Sequence, residues 1–368
     1  MSISKDLRAV AIVGWIGLLA VGLSSCEKTV DTEEAAPGPE PGSVEWKIQN
    51  AMSAAPASVA EEATIMDWAT GSAPTLLRAG TNEWTCFPSA PRVPSNDPKC
   101  VDGVAAQAIQ ALDSQARLQI SSVGVSYMLA GGATASTADP LVRLSLDSDE
   151  WIEDPPHVML YLPQDVLDAS ELPTDPGQGG PWIMWAGTGF AHLMVPTAPV
   201  GPETAPDLDR TTVEWMSRNA RSAAPEAAVQ GATIIGWAAG RGSESTMVND
   251  GGDEWHCATD SPSTPLNDPN CLDRESWRWE QAFAARMAPD ISSLGIGYML
   301  QGGVIADLSD PFATEPPAGQ DWIVGPPHVM LFVPLDQVDL SGFPDQPART
   351  PWVHLAGTPF AHLMIPVQ

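Results

Sequence analysis

The chain is one module written twice. TNEWTC at Thr81–Cys86 returns as GDEWHC at Gly252–Cys257, and NDPKC at Asn96–Cys100 returns as NDPNC at Asn267–Cys271. SYMLAGG (Ser126–Gly132) matches GYMLQGG (Gly297–Gly303), and PPHVMLYLP (Pro155–Pro163) matches PPHVMLFVP (Pro326–Pro334). AGTGFAHLMVP (Ala186–Pro196) matches AGTPFAHLMIP (Ala356–Pro366). The offset is 171 from Cys86 to Cys257 and 170 from His192 to His362, so the copies align almost without gaps. A fixed internal period sets the architecture before any secondary structure is assigned. Chemistry that belongs to the module should stand in both copies, although common descent alone would also repeat residues.

The N-terminus reads as an export signal. Lys5 and Arg8 precede the apolar run Ala9–Leu23, which is too short to span a bilayer comfortably. The run ends Leu23-Ser24-Ser25-Cys26, which resembles the lipobox of bacterial lipoproteins. That resemblance implies cleavage and lipidation at Cys26, with residues 1–26 as signal and anchor site. Residue 27 is Glu rather than Asp. The resemblance therefore implies an outer-membrane lipoprotein, facing the periplasm or the cell surface. The lipid is the expected membrane contact.

Net charge is −29, and residues 1–25 contribute +1, leaving about −30 after cleavage. No basic patch is available to neutralise phosphates, so nucleic-acid binding is not expected. With Cys26 assigned to lipid, four cysteines remain: Cys86 and Cys100, Cys257 and Cys271. Each pair encloses thirteen residues, once per copy. In an exported chain this pattern reads as one disulfide per module, and it lacks the CxxC spacing of zinc or redox sites.

Glu27–Ser43 is acidic and rich in Pro, Gly and Ala, and is expected to be a disordered tether over 27–43. The similar stretch within 197–212 separates module 1 (44–196) from module 2 (213–368). Within each module, helices are expected at Val44–Ala54 and Val213–Ala224. Second helices should be N-capped by Asp102 and Asp273 and run to about Arg117 and Met287. Strands are expected at Ala63–Trp68, Val125–Leu129, His157–Leu162, Trp182–Ala186 and His192–Val195, with counterparts in the second copy. The fold class is thus α+β: two tandem, disulfide-stapled modules, each with two helices and a mainly antiparallel sheet. The modules are expected to pack on each other as a covalently joined homodimer would. Long loops between Gly132 and Pro155, and between Gly303 and Pro326, are candidates for function.

Four of the six histidines occupy equivalent places, always as His-x-Met: His157/Met159, His192/Met194, His328/Met330 and His362/Met364. On a strand, residues i and i+2 share a face, so each segment presents an imidazole beside a thioether. If two such strands are neighbours, each module offers two His and two Met, a soft donor set suited to copper. The pattern resembles the ligands of periplasmic copper carriers. A histidine at the start of a strand can equally hydrogen-bond a loop carbonyl, and methionine fills sheet cores readily. A loop aspartate such as Asp139 with His157, or its counterpart with His328, is an acid–base alternative. His256 and His354 have no counterpart in the first copy. GxSxG, HExxH, P-loop and dinucleotide motifs are absent.

The WTC…NDPxC, YMLxGG, PPHVM and GTxFAHLMxP motifs together resemble an uncharacterised group of small exported bacterial proteins. That resemblance implies export and modularity and no particular activity. The expectation is therefore a non-enzymatic binding or interaction protein of the cell envelope, requiring no cofactor, with copper binding or acid–base catalysis as alternatives.

Overall fold

The computed structural model describes residues 38–68, 74–142, 151–198, 209–237, 245–252 and 254–368. The signal, Cys26, most of the 27–43 tether and the centre of the 197–212 linker lie outside these described residues.

The first half contains α1 (Val44–Met52), α2 (Ala57–Ala60), β1 (Thr64–Asp67), β2 (Thr75–Arg78), β3 (Thr85–Phe87) and β4 (Lys99–Val101). Next come α3 (Gly103–Ser114), β5 (Gly124–Met128), β6 (Gly132–Thr134), β7 (Ile152–Asp154), β8 (His157–Tyr161), α4 (Gln164–Asp168), β9 (Trp182–Met184) and β10 (His192–Pro196). The second half opens with α5 (Val213–Arg221), α6 (Glu226–Val229), β11 (Thr233–Trp237), β12 (Ser245–Asn249), β13 (Trp255–Ala258), β14 (Asn270–Asp273) and α7 (Arg274–Ala284). It closes with β15 (Gly295–Met299), β16 (Gly303–Ile305), β17 (Ile323–Gly325), β18 (His328–Phe332), β19 (Trp352–His354) and β20 (His362–Pro366).

Each half builds one eight-stranded sheet, in the orders β2-β1-β3-β4-β5-β8-β10-β9 and β12-β11-β13-β14-β15-β18-β20-β19. Only β1/β3 and β11/β13 pair in parallel; the remaining neighbours in each sheet are antiparallel. The α+β class is therefore as the sequence led us to expect, with short one-turn helices added to the two main helices of each half. The two long loops are not structureless. Each carries a small antiparallel ribbon, β6–β7 or β16–β17.

The disulfides Cys86–Cys100 and Cys257–Cys271 join directly opposed residues of β3/β4 and β13/β14. The main helices start where their caps dictate. Asp102 accepts from Ala105 N–H and Asp273 from Ser276 N–H, and each second carboxylate oxygen accepts from the next strand, at Val125 and Ile296. One side chain thus both caps the helix and ties it to the sheet centre. The helices stop short of Arg117 and Met287 because Gln115 and Arg286 turn left-handed, with φ of 53° and 55°.

Strand alternation divides the side chains between two cores. Val158, Leu160, Leu193 and Tyr127 join Val329, Leu331, Leu363 and Tyr298 in one continuous core shared by both halves. The alternate residues face the other way, under α3 in the first half and α7 in the second. Contacts between the halves recur at equivalent positions. The Ser58 hydroxyl of α2 donates to the Arg349 carbonyl, while Ala227 of α6 lies so close to Gly179 that a Cβ there would collide with it. Ser58 and Ala227 are equivalent in the repeat, as are Gly179 and Arg349, so the contacts are reciprocal, as in an isologous interface.

Candidate functional site

All four His-x-Met segments lie on strands of the outer, helix-covered faces. In the first half, β8 and β10 run antiparallel with Met159 opposite Met194 and His157 opposite Pro196. Continuing that register sets His192 beside Tyr161, and their rings stack at 5.0 Å. In the second half Met330 lies opposite Met364 and His328 opposite Pro366, while His362 stacks on Phe332 at 4.7 Å. The methionines therefore meet as expected, and the histidines do not. Along the ladder their backbone positions are four residues of strand apart, about 13 Å at the usual rise. Antiparallel pairing thus sets the two methionines of each module directly opposite one another and the two histidines on different rungs of the ladder. Among the described residues no group of three or more His, Cys, Asp or Glu is placed to hold a metal ion.

Each imidazole is anchored locally in one way. Nδ1 of His157, His192, His328 and His362 lies 2.7, 3.1, 2.6 and 3.0 Å from the carbonyl two residues earlier, at Pro155, Phe190, Pro326 and Phe360. A carbonyl can only accept, so Nδ1 carries the proton and Nε2 carries a lone pair. Nε2 of His157, His192 and His328 is buried without a hydrogen-bond partner. Burial also pushes the pKa of each of the three down to about 4, against the raising effect of the carbonyl bond. Each is therefore a neutral acceptor at pH 7, with its acceptor unused.

The second half has a cavity of about 350 Å³ over this face. Its floor is Met299, Met330, Phe332 and Met364 of the sheet. Trp279 and Phe283 of α7 form one wall, and the 303–325 segment closes the other with Ile305, Phe312 and Trp322. His328, His354 and His362 also line it. The aromatic walls are in mutual contact: Trp279 lies 5.0 Å from Phe332, and Phe283 lies 5.1 Å from Phe312. Asp268, Glu280, Asp307 and Asp310 line it as well, with Arg286, whose guanidinium sits over the Phe312 ring. A volume of this size, mostly apolar with a few polar groups, is typical of small-molecule sites.

The two halves differ at this face. Trp279 and Phe283 replace Ala108 and Leu112, Phe332 replaces Tyr161, and His354 replaces Met184. In the first half the face is filled by Met128, Met159, Met184, Met194, Trp182 and Tyr161. His354, which has no counterpart in the first half, belongs to the cavity of the second half alone. It lies opposite His362 in the β19/β20 ladder, with ring centroids 5.1 Å apart. The repeat comparison pointed away from it, because a site that arose in one copy leaves no doubled signal. The pattern Trp352-x-His354 on a strand was the available clue.

Asp139 is exposed and its carboxylate accepts from Leu141 N–H in its own loop. In the second half, Asp310 and His328 line one cavity. No protein-family model, curated protein or solved structure matches the chain.

Proposed function

We propose that the chain is a non-enzymatic binding protein of the bacterial cell envelope, whose second half holds a small, largely apolar ligand against the outer face of its sheet. The carrying observation is the 350 Å³ cavity walled by Trp279, Phe283, Phe312 and Trp322. Burial of an aromatic ligand there would release water from apolar surface on both partners. The export signal and the lipobox-like Cys26 support the envelope location. No helix among the described residues is long and apolar enough to cross a membrane, which accords with attachment by lipid. The neutral dye N-phenyl-1-naphthylamine should bind once per chain with a rise in fluorescence. Ala313→Trp, which fills the cavity from a partly exposed loop position, should abolish that rise without lowering the melting temperature. An unchanged dye signal in Ala313→Trp would place binding elsewhere and reject the reading.

A second reading is copper binding by His-x-Met. It draws on the unpartnered, neutral Nε2 atoms on the same face as Met128, Met159 and Met194. Because the two imidazoles of a module stand apart, each ion would take one His with neighbouring thioethers. After copper loading and dialysis, the reading expects retained metal that His192→Ala plus His362→Ala reduces. Metal-free protein after loading would dismiss it.

A further inference from the structure

The cavity of the second half is set apart from the first half by two kinds of replacement at once. Aromatic rings stand for aliphatic side chains: Trp279 for Ala108, Phe283 for Leu112 and Phe312 for Leu141. Carboxylates stand for uncharged side chains: Glu280 for Ile109 and Asp307 for Ser136. All five of these second-half residues line the cavity. Shared ancestry explains what the copies have in common, and these five are where they differ. An apolar ligand accounts for the rings. It does not account for the carboxylates, because charge held against apolar surface costs free energy unless a counter-charge arrives. Asp268 and Asp310 bring the lining carboxylates to four, against one guanidinium, that of Arg286.

Resting on the binding-site reading above, we propose that the cavity takes an organic cation, an ammonium centre on an apolar body, with the body against Phe283, Phe312 and Trp322 and the charge toward Asp307 and Asp310. These groups are within reach of a ligand. The three rings are only half-buried, Asp307 is half-buried and Asp310 is exposed. Each aspartate accepts from its own loop through Oδ1, from Ser309 N–H and Phe312 N–H, which fixes the carboxylate in place. Ring faces attract cations through their quadrupole. One ring of the cavity already does so: the Arg286 guanidinium lies 4.9 Å from the Phe312 centroid. The residue equivalent to Arg286 is Gln115, so this contact also belongs to the second half alone. The net charge of −29 adds a long-range field that draws cations and repels anions.

The test uses two compounds of one shape, phenyltrimethylammonium and tert-butylbenzene, which differ by nitrogen against carbon at the branch point. Each is titrated against N-phenyl-1-naphthylamine bound to the whole protein. The cation should displace the dye about tenfold or more readily, as a desolvated cation–π contact implies. The comparison is stringent, because the hydrocarbon leaves water more easily. Raising the ionic strength from about 0.02 M to about 0.5 M should weaken the cation alone. Asp307→Asn plus Asp310→Asn keeps the loop's acceptors and removes both charges. It should weaken the cation about fivefold and leave the hydrocarbon unchanged. Arg286→Gln removes the competing charge and should strengthen the cation about threefold. Dye binding reports whether each variant keeps the folded cavity. If the dye binds wild type but the hydrocarbon displaces it as readily as the cation, this proposal fails and the cavity reading stands. A cation preference that the paired Asn substitutions leave unchanged would overturn it as well. If wild type binds neither the dye nor, by calorimetry, either compound, both fail.

Discussion

Replacing Cys86 and Cys100 together by alanine is expected to lower the stability of the whole chain by about 3 kcal/mol. Cys257→Ala with Cys271→Ala should cost about the same. Each bond joins residues fourteen apart in sequence, so both restrict the unfolded chain to a similar degree. The four sulfurs sit in the core that the halves share, with all four cysteines 0% exposed. That placement adds a second expectation. Because Leu160, Leu193, Leu331 and Leu363 belong to one core, neither half can lose its inner face without exposing the other's. Thermal unfolding should therefore be a single cooperative transition in wild type, and loss of either disulfide should move that one transition. Differential scanning calorimetry decides it. Two resolved transitions, only one of them shifted in each double variant, would show that the halves unfold independently.

Lowering the pH from 7 to 4 should remove about 3 kcal/mol of the stability that wild type holds over a His157→Asn variant. His157 titrates at 6.5 when unfolded, and burial brings it to about 4 in the native chain. A base with a depressed folded pKa is neutral in the folded state between those values, while the unfolded chain takes up a proton. Stability from this site is thus intact above pH 6.5 and falls as pH drops through the window to 4. The carboxamide introduced by His157→Asn can still donate to the Pro155 carbonyl and does not titrate. The comparison matters because buried carboxylates act in the opposite sense. Burial raises Asp102, Asp154 and Asp273 to about 6, and burial with proton sharing toward Asp268 raises Asp260 to about 7. A carboxylate with a raised folded pKa protonates first in the folded state, so it adds stability as pH falls through the same range. The wild-type profile alone mixes the two groups, and subtracting the variant isolates His157. Urea unfolding at several pH values measures this difference. A gap that does not change with pH would mean that His157 is not buried in its neutral form.

Much of the architecture was legible in residue pattern. The caps Asp102 and Asp273, the two cysteine pairs and the five expected strand segments are local signals, and local signals need only spacing and side-chain type. Strands β2 and β12 were missed. They are sheet edges with no fully buried side chain, so they carry no apolar alternation to read. The ribbons β6–β7 and β16–β17 were missed because three-residue strands owe their existence to a partner some twenty residues away.

The site divides in the same way. Alternation alone established that each His shares a face with its Met, because i and i+2 must point together on any strand. The repeated motifs established that the module is doubled, and cysteine spacing that each copy holds one disulfide-sized pair. Only tertiary pairing decided that β8 and β10, and likewise β18 and β20, run antiparallel in a register that opposes methionine to methionine and sends the histidines to opposite ends. Only the placement of α7 and the 303–325 segment over the sheet turned Trp279, Phe312 and Trp322 into the walls of one cavity. Residues that line a cavity are gathered from distant parts of the chain by packing, and no local spacing records that they will meet.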